Sequence, residues 1–418
     1  MSPDRTGRQG GGAQRGDDEA TSAPGTPPGL ATGAAAATAA WEDACRRLAA
    51  LGARLEDPAF PADPADRVAG LAHLAEQALC WVGWSVFHAD PARPTFQRQN
   101  DLITQWGGPN ADNVYRHAPV APGRRYQITG RMHSCEEAVF AVRAGFMHQP
   151  VWGTLHEVTA SELGLGPGDD IDLTVGPGGD IPLPDGAATV SIREYYFDWR
   201  AEEPAVMTIA CLDDDAAAPA GRLDGDALAA RLADAVAGVE HSIEYWNRYL
   251  LDRRAEQPAN TFAPPLKVAK GLEAARYAFC FWDLAPGEAL VIDSDPPDAR
   301  YWSLQLYQLG TFELVDAAER QCSLNHTQAG LDPDGRLRVV VAADDPGVAN
   351  WLDTGGRRAG LLTFRWFWGT GGPTPTARVV PADDLSTALP AGTARVTPAE
   401  RAAALRRRRE HLAWRFRT

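Results

Sequence analysis

From Tyr277 to Val380 the chain runs in short apolar stretches fenced by proline, glycine and aspartate, and this texture restricts it to strands joined by tight turns. Ala289–Asp293 and Tyr301–Tyr307 flank the turn Ser294-Asp-Pro-Pro-Asp298. Leu337–Ala342 follows Asp332-Pro-Asp-Gly335, and Leu361–Trp368 closes the set. Strands of this length and spacing predict a sandwich or jelly roll.

A similar texture begins near Tyr115. Tyr126–Gly130, Asp170–Val175, Val190–Trp199 and Ala205–Leu212 read as strands, and Gly176-Pro-Gly-Gly-Asp180 and Pro182-Leu-Pro-Asp-Gly186 as hairpin turns. Helical spacing of apolar residues marks Trp41–Leu55, Asp66–Phe87 and Asp226–Glu256, with a further helix over Pro398–Phe416. In the second of these, Val68, Leu71, Leu74, Ala78, Leu79 and Val82 form a continuous stripe. The expected class is α+β, mainly β: two β-sandwich or jelly-roll-like regions with flanking and intervening helices. The expected division is a disordered tail (1–40), a helical segment (41–100), a first β domain (101–215), a helical linker (222–256), a second jelly-roll-like domain (270–382) and a basic helical tail (395–418).

Charge and cysteine narrow the function. Forty Lys+Arg against fifty-five Asp+Glu give a net charge of −15, which argues against nucleic acid or an anionic membrane as the main partner. The six cysteines form no CxxC pair, so neither a zinc ribbon nor a dense disulfide framework is expected. Ala78–Phe87 is too short to span a bilayer and no apolar segment follows the early basic residues, so a cytoplasmic location is expected. In that acidic context the run Arg406–Arg409 reads as the solvated face of a terminal helix.

The stretch Ser323–Trp366 (SLNHTQAGLDPDGRLRVVVAADDPGVANWLDTGGRRAGLLTFRW), with the strand Tyr301–Tyr307, resembles the C-terminal signature of the bacterial domain-of-unknown-function family numbered 1214. Pro109-Asn-Ala-Asp-Asn113 with Tyr115, and Tyr126–Gly130, resemble the N-terminal half that often accompanies it, departing at Pro119-Val120-Ala121. The resemblance implies a jelly-roll-like C-terminal domain and brings no reaction or catalytic residue with it.

Common catalytic signatures are missing: there is no GxSxG elbow and no GxxxxGK[ST] phosphate loop. Asp213-Asp214-Asp215 runs into a loop composition rather than a metal-binding helix. His133, His148, His156 and Glu157 are close in sequence, but none has the two-residue strand spacing that guarantees a shared face, so no metal ligand is assigned and the cofactor stays open.

Two strands carry the site expectation. Alternation puts Tyr301, Ser303, Gln305 and Tyr307 on one face, and Arg365 within a strongly apolar strand. An arginine there must reach solvent, a carboxylate or a ligand. Asp345, Asp353 and Glu194 are the candidate partners. The functional alternative is an anion anchor at one end of an aromatic-walled pocket, with Tyr301, Gln305 and Tyr307 as polar contacts and Asn113 and Tyr115 as further ligand contacts. Glu194 and Asp101 are the general acid/base candidates, Glu194 on condition that it is buried. The functional expectation is an enzyme acting on a lipophilic molecule (terpenoid, steroid or acyl compound) by acid–base or Lewis-type chemistry. The alternatives are a non-catalytic carrier of such a ligand, and an assembly protein whose tryptophan-rich strands meet a partner subunit, which leaves a homo-oligomer open.

Overall fold

The computed structural model describes residues 28–201, 203–213, 223–267, 272 and 274–416. The first β region pairs a five-stranded antiparallel sheet with a three-stranded one. The larger sheet runs β1 (Gln97–Arg98), β2 (Asn113–Pro119), β7 (Thr189–Tyr195), β4 (Glu137–Gly145), β5 (Gly153–Thr159). The smaller runs β6 (Asp170–Val175), β3 (Tyr126–Arg131), β8 (Val206–Cys211). Their inner faces close on Ile128, Phe140, Val142, Leu173 and Ile192, all buried. The second region repeats the plan. One sheet is β12 (Ser323–Asn325), β11 (Ala299–Gln308), β15 (Ala359–Gly369), β9 (Ala275–Asp283). The other is β14 (Trp351–Asp353), β13 (Leu337–Ala342), β10 (Glu288–Ser294), β16 (Thr376–Pro381), with only the β13–β14 pair parallel. Leu290, Ile292, Leu304, Phe364 and Trp366 fill the space between these two sheets. The class is therefore α+β, mainly β.

One hydrophobic cluster runs through both regions, and a smaller one lies where their outer faces meet: Val139, Tyr195 and Phe197 from the first against Tyr301, Phe367 and Ala275 from the second. Helices α1 (Pro28–Ala50), α2 (Pro64–Val82) and α3 (Gly225–Glu256) pack as a layer beside the first sandwich. A four-residue helical turn, α4 (Leu385–Ala388), covers the outside of β10 and β13. Among the described residues, no helix is long and apolar enough to cross a membrane.

Three expectations are corrected. Residues 28–40 are helical, as the front of α1; alanine loses least on entering a helix, and α1 gains a packing partner in α3 through a close approach of Gly33 to Gly225. Residues 1–27, like Asp214 and Asp215, lie outside the described residues. The apolar stripe of α2 divides, with Val68, Leu71 and Leu79 facing solvent while Gly70, His73, Gln77 and Trp81 turn inward. The inward polar groups are satisfied there: His73 Nδ1 meets Glu313, and Gln77 donates to the Gln105 carbonyl at 2.9 Å and accepts from Ser242. Finally, the terminal helix α5 (Pro398–Phe416) does not simply present its arginines to water. Arg406, Arg407 and Arg409 are exposed, but Arg401, Arg408 and Arg415 are buried along its inner face. Arg401 pairs with Asp345, Arg408 reaches Ala317 O and Ser323, and Arg415 donates to Ala111 O at 2.6 Å while lying over the rings of Tyr196 and Trp199.

Arg415→Leu leaves the Ala111 carbonyl without its charged donor and removes both ring contacts. The expected cost is about 2–3 kcal/mol of folding stability, read as a lower urea midpoint with an unchanged slope.

Candidate functional site

Strand register explains why polar side chains collect between the two β regions. On β11, Tyr301, Ser303, Gln305 and Tyr307 all face outward from their own sandwich, and all are fully buried. Register on β15 sets Arg365 beside Ser303, and register on β9 sets Tyr277 on its other side. In the opposing sheet, β7 places Arg193 between Tyr115 on β2 and Val139 on β4, and Arg143 lies on the same face further along β4.

The loop Pro109–Asn113 closes over β11. Tyr307 donates to Pro109 O at 2.6 Å, Ala111 N donates to Gln305 Oε1 at 3.0 Å, and Asn110 N donates to the Tyr115 hydroxyl at 2.9 Å. Asp112 accepts from Tyr301 at 2.6 Å and from Trp199 Nε1 and Asn325 Nδ2 at 2.8 Å each. Those donors come from both β regions, so one carboxylate ties them together.

Beside this network is a cavity of about 130 Å³. Eleven of its twenty-three lining residues are aromatic, contributed by the first β region, the second, and α3 through Tyr245, Trp246 and Tyr249. Gly107 and Gly108 form part of the wall with φ of +69° and +66°. A Cβ at Gly108 would sit 2.5 Å from the Phe312 ring, so this close approach requires glycine. Phe312 is itself held at φ +57°, its carbonyl accepting from Gly108 N at 3.0 Å. Strain of this kind, held in place by its surroundings, is common at ligand sites.

The charged residues of the lining are Arg143, Arg193 and Arg365; no aspartate, glutamate, lysine or histidine is among the described lining residues. Arg143 and Arg365 are each 5% exposed and Arg193 is half-buried. Arg365 donates to the hydroxyls of Tyr307 and Thr363, with its guanidinium 5.4 Å from the Tyr277 ring centre. Arg143 Nε, Arg193 Nη1 and Arg365 Nε are buried with no hydrogen-bond partner among the described residues. Burial, and then the nearby Arg193 charge, push the Arg143 guanidinium down to about 9.

Of the residues expected from sequence, Arg365 and Tyr115 line this cavity, while Tyr301, Gln305 and Tyr307 form the hydrogen-bonded layer behind it. Asn113 and Asp101 border a smaller hollow towards α5, where Asp101 Oδ1 accepts from the backbone of Ile103 and Thr104. Glu194 is buried, but on the face of β7 opposite Arg193, held by Arg116 and the Tyr196 hydroxyl. None of the carboxylates offered as partners of Arg365 reaches it: Glu194 holds Arg116, Asp345 holds Arg401, and Asp353 holds Arg320. The histidines do not converge. His133 faces Glu203 at 3.3 Å, His156 is on β5, and His148 is boxed by Trp81, Trp106 and Phe146 with Trp246 Nε1 at 3.3 Å. Among the described residues no group of three or more His, Cys, Asp or Glu is placed to hold a metal ion.

Arg143, Arg193 and the α3 aromatics were missed. Arg143 carries the same signal that exposed Arg365: a lone arginine in a strand that is otherwise apolar after Glu137.

The fold and site define an α+β protein in which two sandwiches enclose an aromatic cavity at their junction. Residues 288–370 match the family model described as a protein of unknown function, DUF1214, in agreement with the C-terminal resemblance; the match begins after the upstream motifs. The crystal structure of an uncharacterised protein from Burkholderia cenocepacia is similar over 84% of this chain and 99% of that one, with a TM-score of 0.78 and 28% identity. The VPA0106 protein from Vibrio parahaemolyticus aligns over 74% of this chain and 98% of its own at a TM-score of 0.43 and 12% identity. No curated protein matches the chain.

The chain leading into the cavity wall is also tied to α2 through two acids, half-buried Glu76 and buried Glu313. Glu76 accepts from Gln105 N at 3.2 Å, and burial first, then Glu313, push its carboxyl up to about 8. A carboxyl raised in the folded chain stays protonated where the unfolded chain has lost its proton, so stability falls as pH rises from the ordinary carboxylate range to about 8. Glu76→Gln keeps the acceptor and removes the titration. Its melting temperature is expected to match the parent at pH 5 and exceed it by roughly 2–4 °C at pH 8.5.

Proposed function

We propose that the protein binds a small lipophilic molecule in the cavity between its β regions. The observation that carries this reading is the wall itself: aromatic rings from both sandwiches and from α3 surround a cavity of about 130 Å³. Ligand sites of this kind are concave, largely apolar and marked by a few convergent polar groups. Non-catalytic binding is favoured over acid–base chemistry, because Glu194 and Asp101 lie outside the cavity and the described lining residues include no carboxylate or imidazole. The proton-bearing groups there are tyrosines such as Tyr115, whose hydroxyl burial holds above its ordinary value despite the nearby Arg193 and Arg365.

The neutral fluorophore N-phenyl-1-naphthylamine tests this. Saturable binding at one site is expected, with a blue-shifted emission, weakened at least tenfold by Gly108→Leu, which drives a side chain into the space held by Phe312. A linear, unsaturable response, or equal binding to the variant with its fold intact by circular dichroism, would place any lipophilic site elsewhere. Native mass spectrometry of the full chain, purified without detergent, would then identify the natural occupant.

A further inference from the structure

The inference drawn here rests on that ligand reading and specifies the chemistry of the ligand. We propose that it is amphipathic: an oxyanion head, carboxylate, sulfonate or phosphate, seated among Arg143, Arg193 and Arg365, and an apolar body lying against Trp106, Trp246 and Phe312.

Charge accounting comes first. A chain with a net charge of −15 has acids to spare, yet three guanidinium groups line the cavity and the described lining residues contribute none. Burying a cation without a partner costs several kcal/mol, and gathering cations adds their mutual repulsion. Glu157 on the neighbouring strand β5 acts on Arg143 through space, and no ion pair joins the two.

The chain's treatment of its other buried arginines is the second argument. Arg401 has Asp345, Gln321 and Val348 O; Arg408 has Ala317 O and Ser323; Arg415 has Ala111 O; Arg116 has Glu194 and Ala205 O. The cavity arginines differ. None of the three reaches a carboxylate or backbone carbonyl among the described residues: Arg365 meets only neutral hydroxyls, and each keeps a buried nitrogen without an acceptor, as Arg415 Nε also does. Those nitrogens have a fork geometry suited to an oxyanion, which would supply both the missing acceptors and the missing charge.

Position is the third. Arg143 and Arg193 come from the first β region and Arg365 from the second. Tyr115 lies between them: its ring is 5.8 Å from the Arg193 guanidinium, and its hydroxyl feels the charge of Arg365. The aromatic wall continues from this cluster, so a head and a body fit at adjoining places.

Two probes with the same aromatic body separate this proposal from the reading beneath it. N-phenyl-1-naphthylamine is neutral, and 1-anilinonaphthalene-8-sulfonate adds one sulfonate. With the full chain in moderate salt, the sulfonate is expected to bind at least tenfold more tightly. Arg365→Met and Arg193→Gln should each remove most of that advantage and leave the neutral probe within about twofold. Arg193 is half-buried, so its variant keeps the test open if Arg365→Met unfolds. Dodecanoate and dodecyl phosphate should displace the sulfonate probe at concentrations at least tenfold lower than dodecanol needs, and whichever is stronger names the head group. Equal affinity for the two probes, or equal loss of both in the variants, overturns the anionic head while leaving the lipophilic site standing. Binding of neither probe overturns both.

Discussion

A β-strand that hides both faces must account for every polar group it carries, and β11 is the strand on which this protein turns. One face supplies Trp302, Leu304 and Leu306 to the second sandwich; the other carries Tyr301, Ser303, Gln305 and Tyr307, equally buried. An unmet buried donor or acceptor costs about 1–3 kcal/mol, so four in a row could not stand against an apolar surface. The loop Pro109–Asn113 answers this row with its own carbonyls, amides and the Asp112 carboxylate. Because that loop leads straight into β2, hydrogen-bond satisfaction also fixes the two β regions against one another. Arg415 holds the same loop from the far side through Ala111 O, which gives α5 a structural role that a solvated terminal helix would not have.

The cavity follows from that clamp. With the loop pinned to β11, its preceding glycines bring the backbone against Phe312 and Trp246, and the aromatic face of α3 closes the side. The arginines then line a space walled largely by rings. Tyrosine hydroxyls and ring faces soften the cost for Arg365 but do not cancel its charge. At buried Arg401 the same cost is met inside the chain, by Asp345 and Gln321. The contrast concerns local wiring rather than composition.

Much of this was legible in the sequence, and what was not has definite causes. Alternation along Tyr301–Tyr307 and Leu361–Trp368 grouped the polar row on one face and drew attention to Arg365, because a two-residue period is a local property. Alternation along Val190–Trp199 sets Arg193 and Glu194 on opposite faces, but it cannot tell which face meets a cavity; that depends on a second sheet more than a hundred positions away. So Glu194, a good acid on paper, is spent on Arg116. The stripe on α2 misled for a related reason. Apolar periodicity identifies a helix, but its orientation was decided by His73 and Gln77 finding partners on Glu313, Gln105 and Ser242. Tyr245, Trp246 and Tyr249 read as ordinary core on α3 until the loop at Gly107 is placed beside them.

The two halves of the cavity's charge belong to different β regions, and this decides what occupancy would do. Had evolution placed an aspartate on β7 or β15 within reach of these arginines, the junction would hold a permanent ion pair and no vacancy in its charge balance. The Asp112 network shows that the fold has a carboxylate available for joining the regions and uses it one layer deeper. Mechanical connection is thus already provided without the arginines. Their placement beside an aromatic wall, on the two central strands β7 and β15 and on β4, is explained neither by folding nor by joining the regions. A ligand that brings its own negative charge accounts for it, and any such ligand would touch both regions at once.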